Sequence, residues 1–183
     1  MIEPNFEKYR DVSVKIHQLF QNYTGLIEPL SLDEAYLDVT QNLKNLASAT
    51  EVAMSIQADI VAQTGLTASA GVAPNKFLAK IASDLKKPAG ISIIWHKDMQ
   101  NFLSKLPIGK IPGVGGQTLS ALESVGVQKA GDMARFPLEF WTRRLGKVGG
   151  ILYQRAMGID DRPIITHAEA KSESAENTFE YDT

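Results

Sequence analysis

Two acidic side chains stand side by side in Pro29-Leu30-Ser31-Leu32-Asp33-Glu34-Ala35-Tyr36-Leu37-Asp38, and such a pair points to a hard divalent cation. The apolar residues on either side predict partial burial, and like charges held away from water need compensation. Mg2+ supplies it through oxygen ligands, often only one or two carboxylates plus the phosphates of a substrate. That chemistry is phosphoryl-type transfer, in which two ions roughly 3.5–4 Å apart, bridged by a carboxylate, activate an attacking oxygen and stabilise a leaving one. Asp33 and Glu34 supply part of such a cage. Asp38 shares strand parity with Glu34 but lies four residues on, roughly 13 Å along a strand, too far for a common ion. The competing reading of the pair is a polar turn carrying solvated acids.

A second candidate is Ile111-Pro112-Gly113-Val114-Gly115-Gly116, followed by Leu119 and Leu122 on one helical face. This is the helix-hairpin-helix pattern. Its glycines let the backbone approach a phosphate closely, and the amides at the next helix start attract negative charge. Such contacts fix position on a duplex without reading bases. An ordinary interhelical turn is the alternative.

Lys76, Lys80 and Lys87 lie at intervals of four and seven and can share a face suited to a triphosphate, with Lys87 and Lys80 the nucleotide-binding candidates. Solvation explains each lysine singly. His17, His96 and His167 lack metal-ligand spacing, and Trp95 and Trp141 are expected to fill cores. Arg135, Arg143, Arg144 and Lys147 fit either a DNA backbone or a solvated face.

These side chains need elements to position them. Tyr9, Val12, Ile16, Leu19 and Phe20 predict a helix over 5–22, and short apolar runs around Ser31-Leu32-Asp33 predict a β-hairpin over 26–40. Helical spacing returns over 47–63 and stops at Gly65, after which 67–72 reads as a buried strand. Asn75 is the expected N-cap of a helix to about Lys86, closed by Pro88 and Gly90. A strand over 91–95 and a helix over 97–106 lead into the Gly-Pro segment 107–116, where a domain boundary is expected. Short helices follow at 118–125, 129–135, 137–144 and 148–157. The first part reads as α+β and the second as all-α.

The 183 residues, 44% of them hydrophobic, suffice for one medium domain or two small ones. No apolar run reaches eighteen residues, and the amino end is charged where an export signal would be apolar, so no membrane association is expected. Zero cysteines exclude disulfides, thiolate metal sites and Cys nucleophiles, and fit a cytoplasmic location. The net charge of −2 hides a basic window from Lys76 to Lys110 and an acidic stretch from Glu169 to Asp182.

Taken in order, Ile27 to Asp38, Thr67-Ala68-Ser69-Ala70-Gly71-Val72-Ala73, Lys76 to Asp84, Lys87-Pro88-x-Gly90, Ile111 to Gly115 and Gly158-Ile159-Asp160 closely resemble the motifs of the Y-family translesion DNA polymerases. The resemblance covers nearly the whole chain. It implies a partial polymerase palm over 1–95 (hairpin, strands and packed helices), a small all-α helix-hairpin-helix thumb over 96–165, and a linker with the start of a little finger over 166–183. Asp33 and Glu34 match the family's paired metal ligands, Ser31 and Tyr36 their surrounding motif, and Lys87 a lysine that contacts the incoming nucleotide's phosphates. Gly113 and Gly115, with Val114 and Gly116 beside them, match the thumb's DNA-phosphate hairpin. The activity implied is error-prone addition of deoxynucleotides to a primer 3′ end, with two Mg2+ ions. The implied partners are primer–template DNA, deoxynucleoside triphosphates and, for the full-length protein, a sliding clamp.

Against that pattern, the family's first palm strand, with its further metal-binding aspartate and the aromatic residue that excludes ribonucleotides, has no counterpart here. Gly116 stands where close relatives often carry lysine, and Leu119 where a small alanine is usual. The chain is therefore expected to be inactive alone, and to close the sheet by pairing its remaining strands directly or to associate through exposed strand edges. The alternative is a non-catalytic DNA-binding or regulatory module that kept the thumb clamp.

Overall fold

The computed structural model describes residues 4–166. Asn5 opens α1 (Phe6–Gln21) by accepting the Lys8 N–H, and Ser48 opens α2 (Ala49–Thr64) by accepting the Glu51 N–H. Gly65, at φ 70°, ends α2 in the left-handed region. Between them, β1 (Ile27–Pro29) and β2 (Ala35–Leu37) form the expected antiparallel hairpin, with Glu28 directly opposite Tyr36. A small core of Leu19, Tyr23, Val52 and Ile60 joins α1 to α2.

β3 (Ala70–Val72) and β4 (Ile91–Ile93) pair in parallel, connected by α3 (Lys76–Leu85). Asn75 caps α3 as anticipated, accepting the Leu78 N–H at 3.0 Å. Gly71 lets the β3 backbone lie against α3: a Cβ there would fall 2.0 Å from the Ala79 carbonyl oxygen. Phe77, Leu78, Ile81 and Ala82 of α3 begin the larger core, which continues through Ile94 and Leu103 into the carboxyl-terminal helices. Those are α4 (Met99–Lys105), α5 (Gly116–Glu123), a 3-10 turn at Ala130–Arg135, and α6 (Leu138–Ala156), broken at Gly146 as the two separate helical patterns anticipated. Trp141 fills the centre of this core and donates its indole N–H to the Met133 carbonyl at 2.9 Å.

In its architecture the structure departs from the sequence reading in several respects. β3 is shorter than the expected strand and only half-buried, because α3 covers one face closely while α2 covers the other in part. Trp95 is 54% exposed instead of packed in a core, lying just past β4 where the chain leaves the sheet. The segment 107–116 does not separate two cores, since Ile108 and Ile111 belong to the same cluster as Phe77 and Trp141. Finally, the described strands do not merge into one sheet: β1–β2 and β3–β4 remain separate pairs. The hairpin is held to α3 by side chains instead, so direct β2–β3 pairing is not what anchors it.

Candidate metal and nucleotide site with a phosphate hairpin

The hairpin carries Asp33 in its bend and Glu34 at the start of its return strand. Asp33 is exposed, with Oδ1 accepting the Ser31 hydroxyl at 2.7 Å, and Glu34 is half-buried. The expectation that flanking apolar residues bury both carboxylates fails for Asp33. Leu30 and Leu32 are themselves 45% and 43% exposed and join neither hydrophobic cluster. Glu34 turns towards α3, where its Oε1 accepts the Lys80 ammonium.

Lys87 lies just beyond α3 and pairs with Asp84 at 2.6 Å. The Asp84 hydrogen bond raises its pKa, and the charges of Glu34 and Asp33 contribute in the same direction, so this lysine stands in the field of both hairpin carboxylates. Of the two acids, Glu34 is the one in contact with the lysine-bearing helix, while Asp33 stays bonded to Ser31 within the bend. Lys76 does not join that group. It is 7% exposed and turns to the hairpin stem, donating to Glu28 Oε2 at 2.5 Å and to the Pro163 carbonyl at 3.0 Å, 5.3 Å from the centre of the Tyr36 ring. A helical interval placed Lys76 on the Lys80 face; burial of its first-turn position redirects it. Asp38 accepts the Thr40 N–H at 2.9 Å, which serves the local turn.

Residues with no assigned role in the sequence reading tie this corner together. Burial pushes the Glu28 carboxyl up, but hydrogen bonds from Lys76 and the Ile165 N–H, with the Lys76 and Arg162 charges, outweigh it and hold the group below its ordinary range. Asp160, its side chain 4% exposed, accepts the Phe77 N–H at 2.9 Å and two Arg162 donors. Burial opposes its ionisation too, and the Arg162 bonds and charge prevail. Asn75 Nδ2 donates to the Gly158 carbonyl at 2.9 Å. The segment after α6 is therefore docked on the first turn of α3. Gly158-Ile159-Asp160 was visible as a motif, but nothing in the sequence marked Asp160 as a partner of α3.

In the glycine hairpin, the Val114 N–H donates to the Ile111 carbonyl at 3.0 Å, and Gly113 takes φ +93°, which disfavours any side chain. Gly115 and Gly116 open α5 with nothing within 4 Å of where a Cβ would stand, leaving that backbone approachable. Leu122 is fully buried behind them, and Leu119 packs over Gly109. Arg155 on α6 donates to the Pro112 carbonyl at 2.6 Å and sits 5.8 Å from the Phe77 ring centre, so one side chain links this hairpin to α3. Of the other basic candidates, Arg135 is tied to Gly126 and Asp132, and Arg144 to Ser124, whereas Arg143 and Lys147 are exposed. His96 is exposed, His17 packs against Phe20, and His167 lies outside the described residues.

Whether these donors suit a divalent ion can be judged from their chemistry. Two adjacent carboxylates, one exposed and one half-buried, offer the hard oxygens Mg2+ takes, with room left for water and phosphate. Among the described residues no group of three or more His, Cys, Asp or Glu side chains could hold a metal. The pair therefore fits as part of a coordination shell.

Comparison with known proteins places this architecture. Residues 1–84 match the impB/mucB/samB family model, and residues 96–127 match the model of that family's HHH motif. DNA polymerase IV of Neisseria meningitidis serogroup A is 52% identical over 181 residues, covering 99% of this chain and 51% of the relative. DNA polymerase IV of Clostridioides difficile is 48% identical over 181 residues, covering 99% of the chain and 50% of the relative. The crystal structure of DinB from Sulfolobus solfataricus superposes with a TM-score of 0.80 at 34% identity, covering 89% of this chain and 48% of that one. A Y-family DNA polymerase chimera gives 0.81 at 34% identity, over 92% and 48%. The fold is similar to part of the palm and to the helix-hairpin-helix thumb of Y-family polymerases. The chain belongs to the Y family of DNA polymerases, and it spans about half the length of the curated relatives it matches.

Proposed function

We propose that this chain forms part of an error-prone DNA polymerase that adds deoxynucleotides to a primer 3′ end. The observation that carries the reading is that Glu34, next to Asp33 in the hairpin bend, turns to α3 and accepts the Lys80 ammonium. Asp33 and Glu34 would hold Mg2+, two ions in the complete enzyme, with a further carboxylate from outside the described residues. When bound, Mg2+ supplies the positive charge that favours an attacking alkoxide and a pyrophosphate leaving group. Lys87 and Lys80 bind the triphosphate from the α3 side, and their ammonium groups offset its negative charge. The hairpin of Gly113, Val114, Gly115 and Gly116 grips a phosphate of primer–template DNA through the exposed backbone at its glycines, with the Val114 N–H holding the turn closed on the Ile111 carbonyl. In this reading residues 1–95 are palm, 96–165 thumb and 166–183 linker with the start of a little finger.

Deoxynucleoside triphosphates and primer–template DNA are the substrates, and a sliding clamp is the partner proposed for the longer protein. Among the described residues each two-stranded sheet leaves its outer edges unpaired, which supports self-association of the isolated chain. No described helix is long and apolar enough to cross a membrane, and we place the protein in the cytoplasm.

The test is primer extension with Mg2+ and all four deoxynucleotides. The chain alone is expected to give no product. The chain fused to the amino-terminal segment of a polymerase IV relative should extend the primer, and Asp33→Asn in that fusion should stop it. Robust extension by the isolated chain would contradict an incomplete site. Duplex binding without synthesis by the fusion would favour a DNA-binding module.

A further inference from the structure

Two lysines one helical turn apart tie the hairpin to α3 at two heights, and the two ties differ in kind. At the stem, Lys76 bonds to Glu28 and to the Pro163 carbonyl beside the Tyr36 ring, and the paired side chains are only 8% and 16% exposed. At the tip, Lys80 bonds to Glu34 alone among the described residues, and the paired side chains are 27% and 38% exposed. The first is a fixed clamp. The second has room to exchange.

We infer that Lys80 is a resident counter-ion of Glu34 that a divalent cation displaces on binding, freeing its ammonium for the phosphates of the nucleotide. The inference rests on the metal-binding role proposed for Asp33 and Glu34. Adjacent carboxylates repel each other, and Lys80 offsets that repulsion while no cation is present, keeping Glu34 turned to α3. A divalent ion brings twice the charge to the same oxygens, and an ammonium held against Glu34 Oε1 opposes it both by contact and by charge. Once released, the four-carbon stem of Lys80 lets the ammonium turn to the open side of α3, where Lys87 lies. Lys87 is not the exchanging group, because it is paired within its own segment to Asp84, three residues earlier. The exchange couples the two events: a cation on the carboxylates and Lys80 on phosphate favour one another.

Mn2+ alone is the probe, its uptake by the chain followed by loss of the free-ion electron paramagnetic resonance signal. Lys80→Met should bind Mn2+ about fivefold more tightly than the parent, whereas Lys87→Met, which removes the same charge without the contact, should change affinity by less than about twofold. Lys80→Arg keeps the charge and should bind no more tightly than the parent. In the parent, adding Mg2+ should also release the Lys80 side-chain ammonium from its ordered nitrogen-15 resonance, a readout that needs no variant to fold. The inference is overturned if Lys80→Met binds no more tightly than the parent, if Lys87→Met matches it, or if Mg2+ leaves the Lys80 resonance unchanged. Asp33→Asn and Glu34→Gln separate the two levels. Should Mn2+ uptake not depend on them, the metal site and the inference fall together; should it depend on them but not on Lys80, the inference alone falls.

Discussion

Lys76→Met removes the cation that holds the hairpin stem to α3 while leaving the aliphatic bulk in place. The Lys76 side chain is 8% exposed and that of Glu28 is 16%, so the variant strands a carboxylate in a poorly solvated position. Breaking a buried pair from one side costs about 3–5 kcal/mol, and leaving the other charge unpaired is the larger part of that cost. Glu28 keeps the Ile165 N–H at 2.8 Å and some solvent, so about 2–3 kcal/mol is expected here. For a chain of this size that corresponds to a fall of about 5–10 °C in Tm. Urea unfolding followed by far-UV circular dichroism measures the loss. In Lys76→Met/Glu28→Gln the stranded charge is gone, so the double variant should recover about 1–2 kcal/mol relative to the sum of the single losses. A single loss under about 0.5 kcal/mol, as for an exposed pair, or strict additivity in the double, would refute the reasoning.

The same stem predicts a pH dependence. Because the folded Glu28 carboxyl lies below its ordinary value of 4.5, its contribution is fully present above that value and is lost as pH falls through the lowered one. The stability gap between the parent and Glu28→Gln should therefore be widest near neutrality and shrink in acid; an unchanged gap at about pH 3 would contradict it. Gly115→Val puts a branched side chain into open space at φ −87°, a conformation valine accepts, so the fold should persist while duplex affinity drops about tenfold irrespective of sequence. A filter-binding assay on two unrelated duplexes checks this, and unchanged affinity would place the DNA contact elsewhere. Gly71→Ala forces a methyl to 2.0 Å from the Ala79 carbonyl oxygen and should cost about 2–3 kcal/mol or more, whereas a urea midpoint equal to the parent's would show that β3 and α3 can separate freely.

Local signals carried most of the elements. Asn75, the apolar spacing of α3 and the break at Ser31-Leu32-Asp33 each act within a few residues, so the cap, the helix and the hairpin were legible. The site was legible only in part, because its carboxylates and lysines are local features while their surroundings are not. Lys76 illustrates the limit: helical spacing put it beside Lys80, but its direction is set by Glu28, 48 residues away in sequence. Asp160 and the Phe77 N–H are separated by 83 residues, and no pattern within either segment announces the other. Exposure of Asp33 and Trp95 depends likewise on what packs over a chain segment, which hydrophobic flanks do not determine.

The central claim is that the hairpin acids and the lysines of the α3 side receive a metal-bound nucleotide together. Adding substoichiometric Mn2+ with a deoxynucleoside triphosphate to the nitrogen-15-labelled chain, and mapping the paramagnetic loss of amide signals, tests it directly. The account predicts losses centred on residues 33–34 and 80–88. Losses confined to the thumb, or none under conditions where the amides of α3 are well resolved, would contradict it.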